Sequence, residues 1–98
     1  MNATRTFEIR VGERFSASMW WNNKYPREPY YEVMRSGNAD RLMRKCQKGV
    51  LKDIRLMLQK HVGKAIIIDL RLVANLTFSV TVMGEQDEVD LIDPSNIR

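Results

Sequence analysis

Apolar residues recur along this chain with two different spacings. Phe7, Ile9 and Val11 alternate with Glu8 and Arg10, and Phe15, Ala17, Met19 and Trp21 then alternate with Ser16, Ser18 and Trp20. A period of two is what a half-buried strand requires, so the segment around Gly12 predicts a β-hairpin. Pairing Val11 with Phe15, Ile9 with Ala17 and Phe7 with Met19 gathers the apolar side chains on one face. That register needs a loop over residues 12–14, or a tighter turn with a bulge.

The same alternation returns near the other end. Ile66, Ile68, Leu70 and Leu72 are expected opposite Val82, Val80, Phe78 and Leu76, across a Val73-Ala74-Asn75 loop with Asn75 in a left-handed conformation. Val89 to Ile92 is a candidate short strand, ended by Asp93-Pro94.

Between the hairpins the spacing changes to three and four. Leu42, Met43, Cys46, Val50, Ile54, Met57, His61 and Val62 predict one long helix, with Ser36 or Asn38 at its N-cap and Gly63 at its C-cap. Gly49 falls in mid-helix, where it is about 1 kcal/mol worse than Ala, so a kink or a close packing contact is expected there. The expected fold is α+β: a small antiparallel sheet of two β-hairpins, plus the candidate C-terminal strand, packed on one long amphipathic helix in the order ββ-α-ββ(β). A chain of 98 residues suits a single domain, here residues 1–98 with an acidic C-terminal segment over 85–98.

Charge adds a functional direction. The net charge is +4, but residues 1–83 carry 15 basic and 7 acidic residues, whereas 84–97 carry five acids and no base. The segment 41–64 holds eight basic residues and one acid, Asp53. Arg41, Arg44, Lys48, Lys52 and Arg55 recur every three or four residues on the helix face opposite the apolar stripe. Exposed helices usually intersperse opposite charges, because pairs four apart stabilise by roughly 0.2–0.5 kcal/mol and like charges destabilise similarly. An unrelieved basic row suits phosphates or an acidic protein surface.

Aromatic residues concentrate in one place. Trp20, Trp21, Tyr25, Tyr30 and Tyr31 lie within 14 residues, in a polar connection punctuated by Pro26 and Pro29. Strand parity puts Trp21 in the core and Trp20 at the surface, with one of Tyr30 and Tyr31 inside and Tyr25 outside. Tyr and Trp at a surface serve as interface anchors or base-stacking platforms.

Catalytic equipment is sparse. One histidine, one cysteine and no Gly-rich phosphate loop argue against nucleophilic, metal or nucleotide chemistry. Cys46 is expected to be a small buried hydrophobe and His61 to cap or pack. No catalytic residue, metal or cofactor is expected. The lone cysteine and the lack of an apolar leader point to a reducing, cytoplasmic setting, and the longest apolar run, Ala65 to Ile68, is far too short for a membrane span. Signatures of RNA-recognition motifs, KH domains and zinc modules are absent.

The expectation is therefore a non-enzymatic binding protein. Its partner would be nucleic acid or a nucleoprotein complex, met by Trp20, Lys24, Tyr25, Arg27, Arg41, Arg44, Lys48, Lys52 and Arg55. The alternative is an inhibitor or adaptor that sets the same surface on an acidic partner protein, with the acidic segment either a contact or a cover over the basic helix. A homodimer through a free sheet edge is also compatible with the pattern.

Overall fold

β1 (Asn2–Arg10) runs along one edge of a three-stranded antiparallel sheet, in a computed structural model that describes residues 2–97. Two short helices follow, α1 (Ala17–Lys24) and α2 (Tyr30–Arg35), then the 24-residue α3 (Ala39–Val62). β2 (Ile66–Ala74) and β3 (Thr77–Glu85) form a hairpin, and α4 (Gln86–Asp90) closes the chain with a 3-10 turn at Pro94–Asn96. The strand order is β1-β3-β2, so β3 is central. The domain is α+β, as the periodicities imply, and it is elongated, 52 × 21 × 20 Å.

The first predicted hairpin does not exist. β1 pairs with β3, with Phe7 opposite Val80 and Ile9 opposite Phe78, and its expected partner segment is α1. The sequence carried both periods there: Ala17, Trp20, Trp21 and Lys24 are also spaced as one helical face, and a window of eight residues cannot separate the two patterns. Packing against α3 decides for the helix. The candidate strand at Val89 to Ile92 is corrected as well, since it falls in and just after α4.

The second hairpin forms, with its register moved by two. Leu70 faces Val80 and Leu72 faces Phe78, and the turn is Asn75-Leu76. A shift of two leaves every side chain on its original face, so the hydrophobic pattern does not discriminate against it. Leu76, not Asn75, takes the left-handed conformation, with φ 54°. Its side chain is buried and its carbonyl accepts the Val11 N–H at 2.8 Å, contacts that offset the conformational cost. A register shift between Ile67 and Asp69 then reverses the expected parity: Ile67 is buried, while Ile66 and Ile68 are 58% and 48% exposed.

Leu42, Cys46, Val50, Ile54, Leu58 and Val62 form the buried stripe of α3 at intervals of four. Each large aliphatic side chain so buried contributes roughly 1.5–3 kcal/mol relative to exposure. Leu58 joins the stripe although the sequence reading passed over it, Met43 and Met57 lie at its margin, and His61 stays exposed. Asn38 holds the N-cap position without a side-chain cap bond, and Gly63 ends the helix at φ 60°.

The acidic segment is part of the fold. α4 packs on β1 and β3, and Val89, Ile92 and Ile97 enter the core. Arg5 reaches across to donate to the carbonyls of Val89 and Ile92 at 2.8 and 2.7 Å. Among the described residues no helix is long and apolar enough to cross a membrane.

Candidate interaction surface

The five cations of the predicted row on α3 stand where the spacing puts them. Arg41, Arg44, Lys48, Lys52 and Arg55 are all exposed. Arg41, Arg44, Lys48 and Lys52 form no salt bridge with any described residue, and Arg55 donates to the Ile67 carbonyl at 3.2 Å, which leans that end of the row on β2. The one acid in the basic segment, Asp53, is turned away from the row. Its carboxylate accepts Trp20 Nε1 at 2.7 Å and lies 3.9 Å from the Lys24 ammonium.

Trp20 is not a surface residue. It is 7% exposed, with its indole seated over Gly49 of α3 and its N–H committed to Asp53. An outward position followed only from the strand parity, and in a helix Trp20 and Trp21 both turn to the core. The close contact expected at Gly49 is therefore with Trp20: a Cβ added there would overlap Cζ2 and Cη2 of the indole and lie 3.0 Å from Cε2. Trp21 is buried too, and donates to the Glu28 carbonyl at 2.6 Å.

The other aromatics divide as expected in part. Tyr30 is inside, with its hydroxyl 3.2 Å from the Met43 sulfur, and Tyr31 is 66% exposed. Burial, with lesser contributions from Cys46 and Tyr31, pushes the Tyr30 phenol up. Tyr25 is half-buried against Trp21, ring centroids 4.4 Å apart, beneath the Lys45 ammonium at 4.7 Å. Arg27 is exposed in the turn that joins α1 to α2.

Three cations outside the expected contact set join the surface. Lys45 covers Tyr25 and Trp21, and it lines a hollow beside Arg41. Arg14 and Lys60 meet Lys24, Asp53 and the edge of Trp20 around a shallow groove of about 470 Å³. Their sequence separation hides that meeting; only the docking of α1 on α3 creates it. Cys46 is buried, and burial pushes its thiol up against the opposing pull of Lys45. Among the described residues no three His, Cys, Asp or Glu side chains cluster as metal ligands.

Comparison with protein families, with curated proteins and with solved structures finds no match. The surface itself therefore carries the functional argument. It is a rigid basic row on one helix, flanked at one end by Lys45 and Tyr25 and at the other by the β2 edge.

Proposed function

We propose that this protein is a non-enzymatic binder of nucleic acid or a nucleoprotein complex, and that it grips the phosphate backbone with the basic row of α3. The observation that supports this most is the segregation of charge: five exposed cations in line, with Asp53, the only acid between residues 41 and 64, withdrawn to Trp20 and Lys24, and Asp40 confined to the first turn of α3. Lys45, Lys24 and Arg27 extend the positive field around the helix. Backbone contacts position a protein without reading bases, so low sequence specificity is expected. Burial of Trp20 removes one stacking platform from the expected set, which favours phosphate contact over base stacking.

A second reading draws on that same burial. With Trp20 inside, the surface is cationic more than aromatic, and an adaptor or inhibitor that covers an acidic protein surface fits it as well.

Fluorescence anisotropy with labelled single- and double-stranded oligonucleotides across a salt series tests the first reading. Engagement of about five phosphates on a duplex gives a slope of log affinity against log salt near −4 to −5. The Arg44→Glu/Lys48→Glu variant is expected to lose binding at every salt concentration. Absence of binding at low salt would refute phosphate recognition and leave the acidic-protein reading.

A further inference from the structure

β2 is a terminal strand of the sheet, and it is unusually bare. Of the exposed large hydrophobic residues, four lie on this one strand: Ile66 at 58%, Ile68 at 48%, Leu72 at 58% and Val73 at 47%. The opposite edge is guarded, since α4 and the C-terminal turn pack against β1. Edge strands of isolated proteins are usually protected by Pro, by inward charge or by a covering element. β2 has no Pro and no Lys, its only charges are Asp69 and Arg71, and its two register irregularities, between Ile67 and Asp69 and between Leu72 and Ala74, leave the run from Asp69 to Leu72 regular.

Those two charges have a particular arrangement. They are exposed or nearly so, and they pair with each other along the strand, Arg71 Nε to Asp69 Oδ2 at 2.9 Å and Nη2 to Oδ1 at 3.1 Å. Around Leu70 the strand reads Ile68-Asp69-Leu70-Arg71-Leu72, a sequence complementary to itself when reversed. We infer that β2 is a homodimer interface, pairing antiparallel with β2 of a second copy about a twofold axis at Leu70.

The register follows from the chemistry. A twofold axis perpendicular to the sheet keeps side chains on their own faces, so facing residues must share the same side. Only axes through a residue satisfy this. An axis through Asp69 or Arg71 sets a charge against its own like; the axis through Leu70 sets Asp69 against Arg71 of the second copy, twice. It also brings the half-exposed Ile68 and Leu72 of each copy to the seam, where association covers them. The apolar groove of about 420 Å³ beside the strand, lined by Leu70, Leu72, Phe78, Met43 and Leu51, is continuous with this edge.

The same axis places both α3 helices on one face of a six-stranded sheet. Arg55, which leans on β2, brings the basic rows toward each other. Their repulsion opposes association, whereas contact pairs of opposite sign lie within a Debye length of about 8 Å at 0.15 M salt and are less screened.

Sedimentation velocity in about 0.15 M salt, over concentrations that bracket micromolar affinity, tests the inference. The wild type is expected to sediment as a dimer at the upper end. Asp69→Arg alone and Arg71→Asp alone each set like charges across the axis, so each should weaken self-association by about tenfold or more. Mixed in equal amounts the two variants regain opposite charges at both sites, and a heterodimer is expected. An exposed pair contributes little to the fold, so both variants should keep the wild-type circular dichroism. Should either fail to fold, Asp69→Cys mixed with Arg71→Cys supplies the second measurement, with an intermolecular disulfide expected in the mixture and in neither variant alone. A wild type that stays monomeric throughout, or single variants that dimerise as well as the wild type, would overturn the inference.

Discussion

Replacement of Gly49 by alanine isolates one contact on which the docking of α1 depends. In an exposed helix interior Gly→Ala stabilises by about 1 kcal/mol, because alanine restricts the unfolded chain and suits the helix. Here the new methyl would overlap two ring carbons of Trp20. The indole cannot withdraw freely, since its N–H is held by Asp53 at 2.7 Å and its ring is buried. Overpacking of this kind costs about 1–3 kcal/mol, so Gly49→Ala is expected to destabilise the wild type by up to ~2 kcal/mol net. The sign should reverse once the ring is removed. In a Trp20→Leu background, itself less stable than wild type, Gly49→Ala is expected to recover most of the ~1 kcal/mol of helix propensity. The coupling between the two positions is then about 1–3 kcal/mol, well above the error of a double-mutant cycle. Urea unfolding followed by far-ultraviolet circular dichroism measures all four proteins without relying on Trp20 fluorescence, and an unchanged m value secures the comparison. In a thermal scan 1 kcal/mol corresponds to about 4–8 °C for a domain of this size. If Gly49→Ala raises the stability of the wild type as it would at an exposed site, Trp20 does not sit on Gly49 and the account of α1 docking is wrong.

Other outcomes follow from single contacts. Arg5→Met removes two charged donors from the carbonyls of Val89 and Ile92, an expected loss of about 1.5–3 kcal/mol for each fully lost bond; amide exchange should speed up in residues 86–97 before the rest, and unchanged protection there would show that Arg5 is not the tether. Cys46 is 1% exposed with its thiol pushed up by burial, so labelling by a disulfide reagent at neutral pH should wait on unfolding; labelling of the native protein as fast as the denatured one would contradict its place in the core. Asp93 is held below the usual carboxylate range first by the Ser95 hydroxyl and then by the Ser95 backbone N–H. Because its folded value is the lower one, its contribution is present above the unfolded carboxylate value and is lost as pH falls through the folded one. Asp93→Asn should therefore lessen the fall in stability on acidification, and an unaltered acid limb would exclude that role.

How much of this could be read from the sequence varies element by element. α3 was legible almost to the residue, because 24 residues give a spacing of four enough turns to exclude a strand, and the same count revealed the basic row. The β2–β3 hairpin was legible as a pair of strands but not in register, since a shift of two preserves every facing; the left-handed turn at Leu76 and the register shift at Ile68 settled it through packing that pattern cannot express. Residues 15–21 are ambiguous in sequence because period two and period 3.6 coincide over so short a window. The sequence by itself determined an α+β domain, a long helix with a cationic face, and a cluster of aromatics beside it. Tertiary structure alone decided that β1 pairs with β3, that Trp20 closes onto Gly49 with Asp53, and that the acidic segment folds onto the sheet. Each of these depends on contacts between residues far apart in the chain, and their energies come from shape and desolvation at the meeting point, which no local periodicity records.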